Sequence, residues 1–310
     1  MGPYGITVVD LRDADSTDPE VRARFAAEFG RALRETGFVA LVGHGVPVDL
    51  LDASYARARE FFALPDAEKR AFEFPEEGRQ RGYTSYGVEH AKDAAVADLK
   101  EFWQVGRDLP ADHPLAASGE MPPNRWPTAP SGFADTVAAL YRTMDALAFR
   151  LFSFVEAEIG LPPGHLTEMC RDGNSVMRVI RYPPLGPDAP EGAVRAAAHE
   201  DINLMTILPA STTPGLEVLE RDGTWTAVNP PPNVMICDTG DMMAYLSNGV
   251  MPATTHRVVN PPGAANVTRF SMPFFIHPRP DARLDPPDGS RPPLRAGDFL
   301  AERLREIGVL

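Results

Sequence analysis

Apolar and polar positions change their period along the chain, and the change divides it. ITVVDL (6–11) alternates residue by residue, as a half-buried strand does, and Asp15 to Asp18 offer caps for a helix through Arg34 that Gly37 closes. FVALVGH (38–44) predicts a second strand. GHGVP then turns the chain into an amphipathic helix through Leu50, Leu51, Tyr55, Ala58, Phe61 and Phe62. LKEFWQVG (99–106) reads as a strand, and Phe133, Val137, Leu140, Tyr141, Met144, Leu147, Leu151, Val155 and Ile159 recur every three or four residues, the strongest helical stripe in the chain. From residue 175 the period falls to two. Strands are expected at 175–182, 196–208, 216–220, 224–229, 233–240, 241–247, 254–260 and 268–276, close together as in a sandwich or barrel. A closing helix is expected over 295–307.

This pattern predicts an α+β fold within a single domain, residues 1–310. A mixed α/β region spans 1–125, a helical part 126–172, a β core 173–280 and a terminal loop and helix 281–310. No solenoid repeat is visible. The composition adds exclusions. The 310 residues are 44% apolar and 24% charged, enough to bury a core, and the net charge of -13 argues against nucleic acid as a partner. Without an apolar run of 18 residues or a basic leader, the expectation is a cytoplasmic protein with no membrane association. Cys170 and Cys237 have neither disulfide nor zinc-site spacing and read as buried hydrophobes. The 32 prolines, about twice the ordinary share, punctuate loops.

Among seven histidines only His199 has an acid two places on, in His199-Glu200-Asp201. On a strand, positions i and i+2 share a face, so His199 and Asp201 could reach one ion while Glu200 turns away. His256 lies in a strand-like segment of the same β-rich half, and two imidazoles with one carboxylate suit an iron(II) ion that keeps open positions for chemistry. The ordinary alternative is a pair of hydrogen-bonded strand histidines. Arg269 and Ser271 follow 13 and 15 residues beyond His256, again on one face, a forked donor and a hydroxyl suited to a carboxylate held in fixed orientation. There the alternative is an internal salt bridge.

These residues stand in an ordered series: Thr36-Gly37-Phe38, Gly43-His44-Gly45-Val46-Pro47, Leu99-Lys100-Glu101-Phe102, Tyr182-Pro183-Pro184, His199-x-Asp201, Pro214-Gly215-Leu216-Glu217-Val218, Gly240-Asp241, Leu246-Ser247-Asn248-Gly249, His256-Arg257-Val258 and Arg269-x-Ser271. In that series the chain resembles the isopenicillin N synthase-like iron(II)/2-oxoglutarate-dependent oxygenases over nearly its whole length. The resemblance implies a double-stranded β-helix (jelly-roll) core with flanking helices, and iron held by His199, Asp201 and His256. It also implies that Arg269, Ser271 and Tyr182 hold the distal carboxylate of 2-oxoglutarate. The activity implied is oxidation of a small-molecule substrate by hydroxylation, desaturation or cyclisation, with O2 consumed and succinate and CO2 released. One departure stands out: Ile180-Arg181-Tyr182-Pro183 occupies the place of the Asn-Tyr-Tyr-Pro common in plant members, so a polar contact from the Asn position is missing. Asp201 keeps the carboxylate ligand that halogenating relatives replace.

The same residues leave alternatives open: an oxidase of the isopenicillin N synthase type that needs no 2-oxoglutarate, an ethylene-forming variant, or a non-catalytic metal-holding jelly roll. His44 and Asn248-Gly249 read as turn elements. Of Phe274 and Phe275, strand parity favours Phe275 on the Arg269 face. Tyr86 and the loop over 83–95 are candidates for a substrate entrance.

Overall fold

The computed structural model describes residues 2, 4–89, 98–186, 194–261 and 263–306. Its strands are β1 (Val8–Asp10), β2 (Phe38–Val42), β3 (Gly82–Thr84), β4 (Glu101–Gly106), β5 (Val176–Tyr182), β6 (Ala196–His199), β7 (Met205–Pro209), β8 (Leu216–Leu219), β9 (Trp225–Ala227), β10 (Met235–Thr239), β11 (His256–Val258), β12 (Arg269–Ser271) and β13 (Phe274–Ile276). The helices are α1 (Pro19–Thr36), α2 (Val48–Phe62), α3 (Asp66–Arg70), α4 (Pro114–Ala117), α5 (Phe133–Ile159), α6 (His165–Cys170), α7 (Asp241–Leu246) and α8 (Ala296–Glu306). α1 starts where the sequence expects, with the Asp18 carboxylate accepting from the Glu20 N–H, and ends on Gly37 at φ 69°, a left-handed cap that suits glycine. No described helix is long and apolar enough to cross a membrane.

The strands form two sheets. The larger runs β1-β2-β10-β7-β13-β5-β4-β3 with β12 also on β5, and the smaller runs β6-β11-β8-β9. Period-two alternation decides what each face meets. Phe38, Ala40 and Ile236 of the large sheet pack on Leu216 and Val218 of the small one, and Phe102, Ile180 and Tyr182 pack on Ala196 and Val258. The alternate residues Val39, Leu41, Trp103, Val105, Met177, Val179, Ile207, Met235 and Cys237 point the other way, into one apolar core with α1, α2 and α5. The large sheet therefore has two covered faces, one under helices and one under the small sheet. The site forms between the sheets.

Three expectations are corrected. The run 196–208 is not one strand: β6 belongs to the small sheet and β7 to the large, and polar residues 200–203 carry the chain between them. Residues 241–246 of the expected strand 241–247 are helical. Met242, Met243 and Leu246 are buried at helical spacing, and a short apolar run does not reveal its period. Pro273, which lacks an N–H, splits 268–276 into β12 and β13, though both still pair with β5. The closing helix is α8 as expected; Ile307 lies outside the described residues.

Candidate metal centre and carboxylate pocket

His199 ends β6 and His256 opens β11, and the antiparallel register sets them opposite each other with ring centroids 4.5 Å apart. Each ring donates its Nδ1–H to the carbonyl two residues earlier, His199 to Ala197 (2.7 Å) and His256 to Thr254 (3.1 Å). That fixes the tautomer and leaves both Nε2 atoms as lone-pair donors to an ion. Asp201 lies beyond β6, so the expected strand parity does not place it. A turn does: the Asp241 N–H donates to the Asp201 carbonyl at 2.7 Å. A Cβ on Gly240 would sit 2.5 Å from that carbonyl oxygen, so only glycine lets the β10-α7 junction approach so closely.

The Asp201 Oδ1 atom is 3.8 Å from each Nε2, and the three ligand atoms all lie within 4.8 Å of one another. Oδ2 accepts from the Thr206 hydroxyl, which the Asn203 amide orients from 3.0 Å. Burial, and then the neighbouring His256, push the His199 imidazole down to about 4, so it is neutral at ordinary pH. Two imidazoles with Nε2 turned inward and a carboxylate with one oxygen unspent are a donor set that fits a divalent iron ion.

Arg269 and Ser271 sit on β12, in register with Tyr182 and Ile180 of β5. Arg269 is fully buried. Its Nε donates to the Thr213 carbonyl (3.2 Å) and Nη2 to Ser211 Oγ (2.8 Å), while Nη1 has no partner. Ser211 Oγ is in turn 3.1 Å from Ser271 Oγ, and the Tyr182 ring lies 5.1 Å from the guanidinium carbon. No described acid pairs with Arg269, so the internal salt bridge weighed from the sequence is absent among the described residues. A buried guanidinium with an idle N–H is what a ligand carboxylate requires. Ile180, at the position where plant members carry Asn, packs in the apolar cluster with Tyr182, and Arg181 turns away to Glu101 at 2.5 Å.

Beside the metal centre opens a cavity of about 650 Å³ whose lining includes His199, Asp201, Phe102, Arg178, Phe275 and His277. Phe275 faces this cavity while Phe274 is buried in the helix-side core, which agrees with the parity argument. Arg178 lies 4.4 Å from the Phe102 ring centroid and 5.7 Å from that of Phe275, with Nε donating to Gln104 (2.8 Å) and Nη1 to Glu89 (3.0 Å). Lys100 closes the circuit to Glu89 (2.9 Å) and Asp98 (2.7 Å), and Asp98 accepts from the Ala197 N–H on the metal strand (2.9 Å). Opposite charges hold the Glu89 carboxyl well below, and the Lys100 ammonium well above, their usual ranges despite burial. Sequence reasoning assigned no role to Arg178 or His277 and singled out Glu89 only as part of the loop over 83–95; the signal available for Arg178 was that 178, 180 and 182 share one strand face.

Other singled-out residues have quieter roles. His44 accepts from the Val46 N–H on Nδ1 (3.1 Å) and donates from Nε2 to the Asn233 carbonyl (3.2 Å), a buried neutral turn residue. Asn248 and Gly249, at φ 51° and 82°, form the turn after α7. Both cysteines are buried, with their thiols pushed up by desolvation. Val88 and Glu89 line the cavity, whereas Tyr86 is exposed. His90 and the rest of that loop to residue 95 lie outside the described residues.

Comparisons with known proteins agree with this geometry. Residues 173–278 match the 2OG-Fe(II) oxygenase superfamily, and residues 6–129 match the N-terminal region described as non-haem dioxygenase in morphine synthesis. The 2-oxoglutarate-dependent dioxygenase citB of Monascus ruber is 31% identical over 83% of this chain and 79% of its own length. The 2-oxoglutarate-Fe(II) type oxidoreductase hxnY of Emericella nidulans is 28% identical, covering 91% and 82%. A 2OG-Fe(II) oxygenase family protein of Caulobacter crescentus, of known crystal structure, is 38% identical with a TM-score of 0.86 over 97% of this chain and 99% of that one. The chain belongs to the 2OG-Fe(II) oxygenase superfamily, and its two facing sheets are the double-stranded β-helix of that family.

Proposed function

We propose that the chain works as one oxygenase domain in which His199, Asp201 and His256 hold iron(II), and in which Arg269, Ser271 and Tyr182 hold the distal carboxylate of 2-oxoglutarate. When bound, iron(II) with 2-oxoglutarate and O2 supplies an oxidative decarboxylation to succinate and CO2 coupled to oxidation of the substrate. The protein's own part is orientation. The Ala197 and Thr254 carbonyls fix the ligand imidazoles, Thr206 fixes Asp201, and the idle Nη1 of Arg269 meets the cosubstrate. The observation that carries the reading is the pairing of a three-ligand cluster with a buried arginine that no described acid neutralises.

The 650 Å³ cavity is of the size that takes small organic molecules, and the curated relatives are named for 2-oxoglutarate-dependent oxidation. The substrate is accordingly a small molecule, hydroxylated, desaturated or cyclised beside His199 and Asp201. Anaerobic titration of the iron(II) protein with 2-oxoglutarate tests the reading. A visible charge-transfer band should grow to saturation, and O2 should then release succinate. Oxygen uptake with neither band nor succinate would instead mark an oxidase that does not use 2-oxoglutarate.

A further inference from the structure

Arg269 is not the only large buried cation without an acid. Arg195, immediately before β6, is 1% exposed, and its one hydrogen bond among the described residues runs from Nη2 to the Val267 carbonyl at 2.5 Å. Its Nε is buried without a partner, and no described carboxylate lies within ion-pair reach. Three observations place it beside the carboxylate pocket. Val267 is two residues before Arg269, so the Arg195 side chain lies along the approach to β12. Ala196, its chain neighbour, packs in one cluster with Tyr182, the register partner of Arg269. The positive charge of Arg269 and the Tyr182 phenol also act on Arg195, with burial the main cause of its lowered proton affinity.

Two guanidinium groups buried near each other without a counter-ion are costly, because each loses hydration and each repels the other. An anion between them relieves both penalties. β6 carries the chain from Arg195 to His199, with a bulge against β11 between Ala196 and His199, so a dianion held at its far end by this pair would extend along this strand toward the metal centre. Resting on the proposed use of 2-oxoglutarate, we propose that Arg195 is a second cosubstrate-binding arginine, so that the distal carboxylate lies between the guanidinium groups of Arg195 and Arg269. A residue that only clamped the start of β12 would need neither a full positive charge nor the absence of an acid.

The test is calorimetric titration of the Mn(II)-loaded protein, which does not turn over, with 2-oxoglutarate and with 2-oxovalerate, a 2-oxo acid lacking the distal carboxylate. Thermal unfolding of each variant without ligand accompanies it. Arg195→Met should weaken 2-oxoglutarate roughly 10- to 100-fold, Arg195→Lys should recover much of the loss, and 2-oxovalerate affinity should stay as in the wild type. The ligand-free Tm of Arg195→Met should stay level or rise as the repulsion with Arg269 disappears. Unchanged 2-oxoglutarate affinity in Arg195→Met, or an equal loss for both acids with a lowered ligand-free Tm, would overturn the proposal and leave a structural clamp. If the wild type itself preferred neither acid, the proposed use of 2-oxoglutarate would be what failed.

Discussion

Strand β5 serves two arginines in opposite ways. Toward its start, Arg178 lines the cavity, and its charge is met by Glu89, which also shares Lys100 with Asp98. At its end, Tyr182 stands beside Arg269, for which the described part of the molecule provides two neutral oxygens and no acid. The first arrangement is complete as it stands and makes an oriented wall. The second is left open, and a buried cation left open marks where a ligand charge belongs. Charge compensation thus separates scaffold from binding site even where both use the same residue type on the same strand.

The largest effect should come from the metal centre that both regions border. Asp201→Ala removes one of the three proposed ligands and should lower iron affinity by more than about 100-fold, beyond the loss typical of outer hydrogen-bond partners. Metal content after dialysis and succinate release would measure it, and a variant that kept full turnover would remove the basis of the site. Next is the contrast between the arginines. Arg269→Met should weaken 2-oxoglutarate by about 100-fold or more while leaving ligand-free stability level, since no described acid is stranded. Arg178→Met should behave the other way. It strands part of the Glu89 charge, costing about 2 kcal/mol in urea unfolding because the side chain is a quarter exposed and Lys100 remains, and it leaves 2-oxoglutarate affinity within about twofold. If both variants lost cosubstrate affinity alike, the division between wall and pocket would not hold.

Residue order carried much of this, and for physical reasons. The clustering of His199, Asp201 and His256 and the shared strand of Arg269 and Ser271 were legible because such side chains are few and their order along the chain is characteristic, even though Asp201 joins the cluster from a turn and not by strand parity. The α5 stripe was legible because more than seven helical turns repeat one pattern over its 27 residues. What stayed hidden depended on pairing between distant segments. Whether Arg269 met an acid, whether Arg178 and Glu89 joined across 89 positions, and whether 241–246 coiled against the helical core are outcomes of tertiary packing that no local period encodes. Arg195 belongs to the same class. Its position four residues before His199 is plain in the sequence, but its lack of a counter-charge is not.

The smallest effect at neutral pH should come from His277, which adjoins both regions, since Asp201 and Arg178 act on its charge from either side. Its Nδ1 donates to the Phe275 carbonyl at 3.3 Å, and burial pushes it down to about 4 from an ordinary 6.5. The unfolded chain therefore takes up this proton first as the pH falls. Stability from the buried neutral ring is fully present above about 6.5 and is lost as the pH drops toward 4. Between about pH 7.5 and about pH 5.5 the wild type should lose about 1 kcal/mol more than His277→Asn. Metal-free protein is the right sample, because His199 titrates in the same range and is common to both proteins, so it cancels in the difference. Urea unfolding at several pH values would trace it, and parallel curves would mean that the His277 ring is protonated inside the fold, with the cavity wall beside Arg178 more hydrated than its burial implies.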